Sequence, residues 1–148
     1  LEALGFFSAV NISTQAGSSP DRVVVIVDVQ DQPTGSFGIG AGYSVGDGGL
    51  VLEASVEEKN FLGRGQFIRL AAGGGFDDTQ TYNFSFTEPY FLGYRLAAGF
   101  DLFYKDVNQT STSSYKSRKE GGSLRLGFPL SENLFLYFLH YCEILCIN

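Results

Sequence analysis

The sequence predicts a mainly β protein: the N-terminal part of an antiparallel membrane β-barrel, incomplete at about six to seven strands, after a short helix end and β-hairpin. Apolar and polar residues alternate along most of the chain; in Tyr82–Thr87, three rings share one side of an extended strand. The chain holds 14 Phe, 8 Tyr and 19 Gly, yet its mean hydropathy is only +0.04. Long polar and short aromatic connections alternate between the strands, as in outer-membrane barrels.

Composition excludes several classes of function. A net charge of -6 and a pI near 4.6 leave no basic stripe for nucleic acid. The longest apolar runs, Val23–Val27 and Leu134–Leu139, are far shorter than the roughly 18 residues of a membrane helix. The chain starts at Leu1 and contains no methionine, which we interpret as the mark of a fragment.

The first element is a small unit over residues 1–33. "LEAL" is typical of the last turn of a helix, with Gly5 in the C-cap position. Two strands follow, "FFSAVNIST" and "DRVVVIVDVQ", joined by the turn "QAGSSP". Pro33 cannot donate to a sheet ladder and Gly35 loosens the chain, so we place a domain boundary here, with residues 34–148 forming the second domain.

The next element is a strand over residues 36–45 with glycine at every second position. One side of this strand carries Phe37, Ile39, Ala41, Tyr43 and Val45, and the other carries Gly38, Gly40, Gly42 and Ser44. A dinucleotide-binding loop would need its glycines between a strand and a helix, whereas these lie inside a strand. The glycines instead leave one face of the strand bare.

Four further strands repeat this alternation, each about 9 to 11 residues long, the length of a tilted strand that crosses a bilayer. Their alternating positions begin at Leu50, Ile68, Leu96 and Leu124. The polar connections are "GDGG" at 46–49, "DDTQ" at 77–80 and the long loop at 105–120. The aromatic ones are "KNFLGRG" at 59–65, "EPYFLGYR" at 88–95 and "FPLSEN" at 128–133, so Phe-Leu-Gly recurs thirty positions apart.

A soluble barrel with its rings turned inward remains an alternative. Its water-facing side would be unusually poor in charge, because only 18% of residues are charged, against about 25% in ordinary soluble domains. The tail at 135–148 is anomalous, since it is apolar on both sides, and we expect it to be irregular. Its Cys142 and Cys146 form a CxxxC pair, which fits neither a zinc ribbon nor a redox motif, even with His140 nearby.

The segments "LEALGFFSAVNI", "GAGYSVGDGGLVLEASVEEKNFLGRGQ" and "FSFTEPYFLG" resemble the BamA family of outer-membrane assembly factors, particularly those of alphaproteobacteria. The resemblance implies that residues 1–33 are the end of the last periplasmic POTRA module and that residues 34–148 begin a sixteen-stranded barrel. It implies an outer-membrane protein that folds and inserts other β-barrels, with unfolded barrel proteins as clients, accessory lipoproteins and outer-membrane lipid as partners, and no cofactor.

The same resemblance makes the strand at 36–45 a lateral gate, whose residues Phe37, Gly38, Ile39, Gly40, Ala41, Gly42 and Tyr43 would pair with a client strand. It places two turns in the periplasm, namely Asn60, Phe61, Leu62, Gly63, Arg64 and Gly65, and Glu88, Pro89, Tyr90, Phe91, Leu92 and Gly93. The glycines could instead make room for side chains inside the barrel. A two-partner secretion transporter, or another translocation pore with POTRA modules, is an alternative function.

No pattern in the chain indicates an enzyme. It contains no paired nucleophile and base, no set of metal ligands and no phosphate-binding loop. The acidic pairs Glu57-Glu58 and Asp77-Asp78 are neighbours on strands or in loops, and strand neighbours point to opposite faces.

Overall fold

A computed structural model of the chain describes residues 5–19, 21–44, 49–75, 79–108, 116–131 and 134–147. The chain divides into two compact units, Leu1–Thr34 and Gly35–Asn148. The predicted helix end at 1–4 lies outside the described residues. Gly5, which we placed at its C-cap, has a φ of +68°. In the part of the chain that the structure describes, no helix is long and apolar enough to cross a membrane.

The first unit contains an antiparallel hairpin. Strand β1 (Phe7–Ala16) pairs with β2 (Val23–Asp31), with Ile12 opposite Val27. The turn between them is closed by a hydrogen bond from Gly17 N to Arg22 O at 2.9 Å. Its assignment to a POTRA module stays a prediction.

The second unit is a seven-stranded antiparallel sheet, which confirms the predicted fold class. Its strands follow each other in chain order, and each pairs with its sequence neighbours. They are β3 (Gly35–Ser44), β4 (Gly49–Phe61), β5 (Gln66–Gly75), β6 (Gln80–Glu88), β7 (Ala97–Asn108), β8 (Lys116–Ser131) and β9 (Leu134–Ile147), with a 3-10 turn at Phe91–Gly93 between β6 and β7. Within the described residues β3 and β9 do not pair with each other, so the sheet is unclosed.

The register gives the sheet two different faces. Val56 lies opposite Leu70, Leu70 opposite Phe84, and Phe84 opposite Leu102. We call the side that carries these four residues the apolar face; it also carries Phe37, Ile39, Tyr82, Phe86, Phe100, Leu124 and Phe138. We call the other side the polar face; it carries Gly40, Glu53, Arg69, Asn83, Asp101, Ser123 and Arg125.

The apolar face is uncovered in the described structure. Phe37 is 82% exposed, Ile39 83% and Leu124 61%, and no large hydrophobic side chain of the described residues is fully buried. A soluble sheet would bury such rings in a core, because exposing large apolar patches to water is unfavourable. The arrangement therefore favours lipid as the surroundings of this face over the soluble alternative.

The prediction of an irregular tail is wrong. Residues 134–147 form β9, which pairs with β8 along its length. Ladder hydrogen bonds need no alternation of side chains, and ring contacts add to them. Phe103 stacks on Tyr141 with 5.7 Å between ring centroids, and Phe128 meets Phe138 edge-on at 5.8 Å.

Three predicted connections are longer, by three residues or more, than those observed. Residues 59–61 of the first aromatic turn belong to β4. Residues 105–108 and 116–120 of the predicted long loop belong to β7 and β8, with Lys105 opposite Lys119 and Asp106 opposite Arg118. Residues 128–131 of the third aromatic turn likewise continue β8. The predicted strands are too short because polar side chains and Pro129 are typical of a loop, whereas the observed backbone pairing extends past these residues. Residues 109–115 and 132–133 lie outside the described residues.

Candidate functional site

The predicted gate residues lie on an edge strand. Strand β3 pairs with β4 on one side, and no described strand pairs with its other side. The observed bounds, Gly35–Ser44, differ from the predicted 36–45 by one residue, and Val45 lies outside the described residues. An edge strand presents unpaired N–H and C=O groups that can accept another strand.

Gly40 and Gly42 lie opposite Glu53 and Val51 on β4. A Cβ atom built at either glycine meets no heavy atom within 4 Å among the described residues. By contrast, one at Gly38 would lie 3.0 Å from Ser55 Oγ, and one at Gly99 would lie 2.7 Å from Phe86 O. The bare surface at Gly40 and Gly42 is therefore not filled by side chains of this sheet.

The first predicted turn has a tightly bonded backbone. Gly63 N donates to Asn60 O at 2.9 Å, and Gly65 N donates to Asn60 Oδ1 at 2.8 Å. Leu62 has a φ of +57°, in the left-handed region that a leucine rarely adopts. The Asn60 N–H donates to Glu58 Oε1 at 2.8 Å, which fixes the start of the turn.

The second turn repeats this geometry thirty residues later. Gly93 N donates to Tyr90 O at 3.0 Å, and Tyr90 N donates to Glu88 Oε1 at 2.9 Å. Leu92 has a φ of +56°, matching Leu62. Both leucines are about three-quarters exposed. The repeat visible in the sequence is therefore a repeat in backbone structure, with a strained leucine at the tip of each turn.

Glu88 links the second turn to the sheet. Gln66 Nε2 donates to its Oε2 at 2.5 Å, while its other oxygen accepts from Tyr90 N. These two hydrogen bonds hold the pKa of the Glu88 carboxyl below its ordinary value. Burial opposes them, and the positive charge of Arg64 adds a smaller effect in their direction. Glu88 is therefore a carboxylate at neutral pH.

A charged cluster on the polar face was not predicted. Asp101 Oδ2 accepts a hydrogen bond from Ser123 Oγ at 2.7 Å and lies 2.9 Å from Arg125 Nε in an ion pair. Arg125 Nη2 donates to Asp101 Oδ1 at 3.0 Å and to Thr87 Oγ1 at 3.3 Å. The Nε contact lacks the alignment of a hydrogen bond, so the Nη2 bond is the directional one. The cluster joins β6, β7 and β8.

Nearby, Arg69 and Glu53 form a looser pair at 3.6 Å. A cavity of about 420 Å³ is lined by Arg69 and Glu53 and by Asp101 of the cluster. Asn83, Ser85 and Tyr141 also lie on its wall. Opposite charges at Asp101 and Arg125 could have been noticed in the sequence, but only the strand register brings them together.

No group of three or more His, Cys, Asp or Glu in the described residues could hold a metal ion. Cys142 and Cys146 are free and exposed. Glu57 accepts from Ser36 Oγ at 3.0 Å, whereas Glu58 serves the turn, so the two carboxylates have separate structural roles. Asp77 and Asp78 lie outside the described residues.

Comparison with known proteins gives consistent matches. Residues 60–140 match the Omp85 superfamily domain. The chain is 32% identical over its whole length to the outer membrane protein assembly factor BamA of Neisseria meningitidis serogroup B, of which it covers 19%. It is 36% identical, over 76% of its length, to a putative outer membrane protein assembly factor of Treponema pallidum, of which it covers 14%.

A solved structure agrees. The chain matches the crystal structure of BamA from Haemophilus ducreyi lacking POTRA domains 1–3 with a TM-score of 0.72 and 34% identity. The match covers 92% of this chain and 26% of that one. The chain thus spans less than a fifth of the curated relatives that it matches and about a quarter of the solved one.

Proposed function

The chain belongs to the Omp85 superfamily, and from that premise we propose that it is part of a factor that folds and inserts β-barrel proteins into the bacterial outer membrane. The observation that carries the proposal is the match of fold and sequence to BamA proteins, together with an edge strand that is bare on one face. In this proposal residues 1–33 are the end of a periplasmic POTRA module, and residues 34–148 are the first part of the barrel.

The activity we propose is physical and involves no covalent chemistry. The free edge of β3 offers backbone donors and acceptors to an incoming strand, which would add to the sheet by β-augmentation. Inside a bilayer each unpaired backbone group costs several kcal/mol, so a client strand that satisfies these groups is strongly favoured. Unfolded outer-membrane proteins are the clients and accessory lipoproteins the partners in this proposal.

Glycine at alternate positions suits a gate strand whose pairing with a neighbouring strand must open. It contributes no side chain to cross-strand packing, and it loses more backbone entropy on ordering than other residues, by about 0.5–1 kcal/mol relative to Ala. This role agrees with the free space around Gly40 and Gly42, which no described side chain approaches.

The two turns of Asn60–Gly65 and Glu88–Gly93 would lie on the periplasmic side. Their short, internally bonded backbones are typical of the periplasmic turns of outer-membrane barrels. The exposed rings of Tyr90 and Phe91 would then lie at the level of the lipid head groups, where aromatic side chains are enriched.

The test replaces Gly40 and Gly42 with valine in the full-length protein that contains this chain. Valine adds β propensity and removes glycine entropy, for about 1 kcal/mol at each position and about 2 kcal/mol together, so we expect insertion of client barrels into vesicles to slow about thirtyfold. The matched control is Asn83→Val, on the same polar face but in a strand that is paired on both sides.

Heat-modifiable gel mobility checks that each variant still folds. Unchanged insertion by the folded double variant would refute the gate role. Equal slowing by Asn83→Val would show that added valine acts through the sheet as a whole and would refute it as well.

A further inference from the structure

A groove of about 590 Å³ lies on the apolar face beneath the second turn. Its floor is formed by Phe86, Phe100 and Leu124, from three adjacent strands, and its wall by Phe91 and Leu92 of the turn. The rings of Phe86 and Phe100 lie 5.7 Å apart in a tilted contact. All the strands below it are paired on both sides, so the groove depends on neither edge of the sheet.

Most residues that line the groove are apolar, although Arg125 also borders it, and one end of the groove is polar. Gln66 and Glu88 form that end, bonded to each other through the Gln66 amide. Glu88 carries a negative charge at this end of the groove, where its Oε1 also accepts the Tyr90 N–H. The apolar groove thus ends beside an anionic group.

We propose that this groove binds a zwitterionic phospholipid, with an acyl chain between Phe86, Phe100 and Leu124 and the head-group ammonium at Glu88. The proposal rests on the proposed location of the sheet in the outer membrane. Charge complementarity selects the head group, because an anionic lipid would place no cation at Glu88. A lipid is favoured over a protein segment because the groove is continuous with the exposed apolar face.

The first turn repeats the backbone of the second turn but contributes neither its leucine nor its glutamate to this groove. Leu62 and Leu92 share the same strained backbone, but only Leu92 lines the groove. Glu58 and Glu88 both accept the backbone N–H two residues ahead, but only Glu88 lies at the groove mouth. The first turn therefore supplies matched controls for every substitution in the second.

The experiment uses the full-length protein purified in detergent and mixed with equal amounts of phosphatidylethanolamine and phosphatidylglycerol. Native mass spectrometry measures the lipid that each variant retains. We expect wild type to prefer phosphatidylethanolamine. Glu88→Gln should lower the ratio of the two retained lipids about fivefold, which corresponds to about 1 kcal/mol for one exposed charge pair. Phe91→Ala with Leu92→Ala should lower retention of both lipids.

The controls Glu58→Gln and Leu62→Ala should keep the wild-type ratio. A ratio unaffected by Glu88→Gln, an equal fall in Glu58→Gln, or retention of a peptide in place of lipid would each overturn the lipid site. Lipid retention is measured without any client, so its outcome is independent of the insertion assay, and failure of one proposal is distinguishable from failure of the other.

Discussion

Replacing Arg125 with methionine should destabilise the sheet from its polar face. Arg125 holds Asp101 through one hydrogen bond at 3.0 Å and one ion-pair contact at 2.9 Å, and it also donates to Thr87. Methionine keeps much of the aliphatic length of the side chain but none of these contacts. The Asp101 carboxylate would retain only Ser123 among these partners.

The expected loss is about 1.5 kcal/mol of unfolding free energy. A hydrogen bond to a charged group contributes about 1.5–3 kcal/mol, whereas an exposed ion pair contributes only about 0.2–1. The Arg125 and Asp101 side chains are 38% and 30% exposed, so solvent screening places the pair between these limits. Arg69→Met is the matched control: its contact to Glu53 is a single one at 3.6 Å between more exposed groups, and should cost about 0.5 kcal/mol or less.

Urea unfolding of the full-length protein in detergent micelles measures both variants. The double variant Arg125→Met with Asp101→Asn should lose less stability than the sum of the two single variants, because it leaves no unpaired charge. Equal midpoints for Arg125→Met and Arg69→Met would refute the reasoning, as would additive losses in the double variant.

Two further predictions concern the second turn and the orientation of the sheet. Because the pKa of Glu88 is lowered in the folded state, the Glu88 carboxylate stabilises the fold fully above its ordinary pKa of 4.5, and this stabilisation is lost as the pH falls through the folded-state pKa. The difference in thermal midpoint between wild type and Glu88→Gln should therefore shrink on acidification. A difference that grows would contradict the lowered pKa. The connection between β7 and β8 is proposed to be extracellular, so trypsin added to intact cells should cut at Lys116, where β8 begins, and leave Arg22 intact. Cleavage at Arg22 with Lys116 protected would show that the sheet has the opposite orientation.

The alternation of side chains was enough to predict the strands and their two faces. Rings at Tyr82, Phe84 and Phe86 do share one face, and Gly38, Gly40 and Gly42 of β3 share the other. Apolar and polar residues alternate with a period of two because the two faces of the sheet meet different environments. The alternation fails where both faces are alike, as in β9, where Leu136 and Tyr137 lie on opposite sides and are both exposed. The sequence therefore predicts an irregular tail there and leaves a seventh strand open.

The candidate sites were only partly predictable. The recurrence of Phe-Leu-Gly marked the two turns, but not the positive φ of Leu62 and Leu92, because sequence patterns assign such a backbone to glycine or asparagine first. The groove and the Asp101–Arg125 contact depend on register across several strands, which residue types alone do not fix.

The strict nearest-neighbour order of β3 to β9 has a kinetic consequence. Each hairpin can form by closing one short loop, so the entropy of loop closure is paid in small steps and the sheet can grow strand by strand. The contact order of the sheet interior is correspondingly low, and folding should propagate outward from whichever hairpin forms first. Strand β3 gains only one neighbour by this route. It should be among the last strands to acquire protection from hydrogen exchange and among the first to lose it.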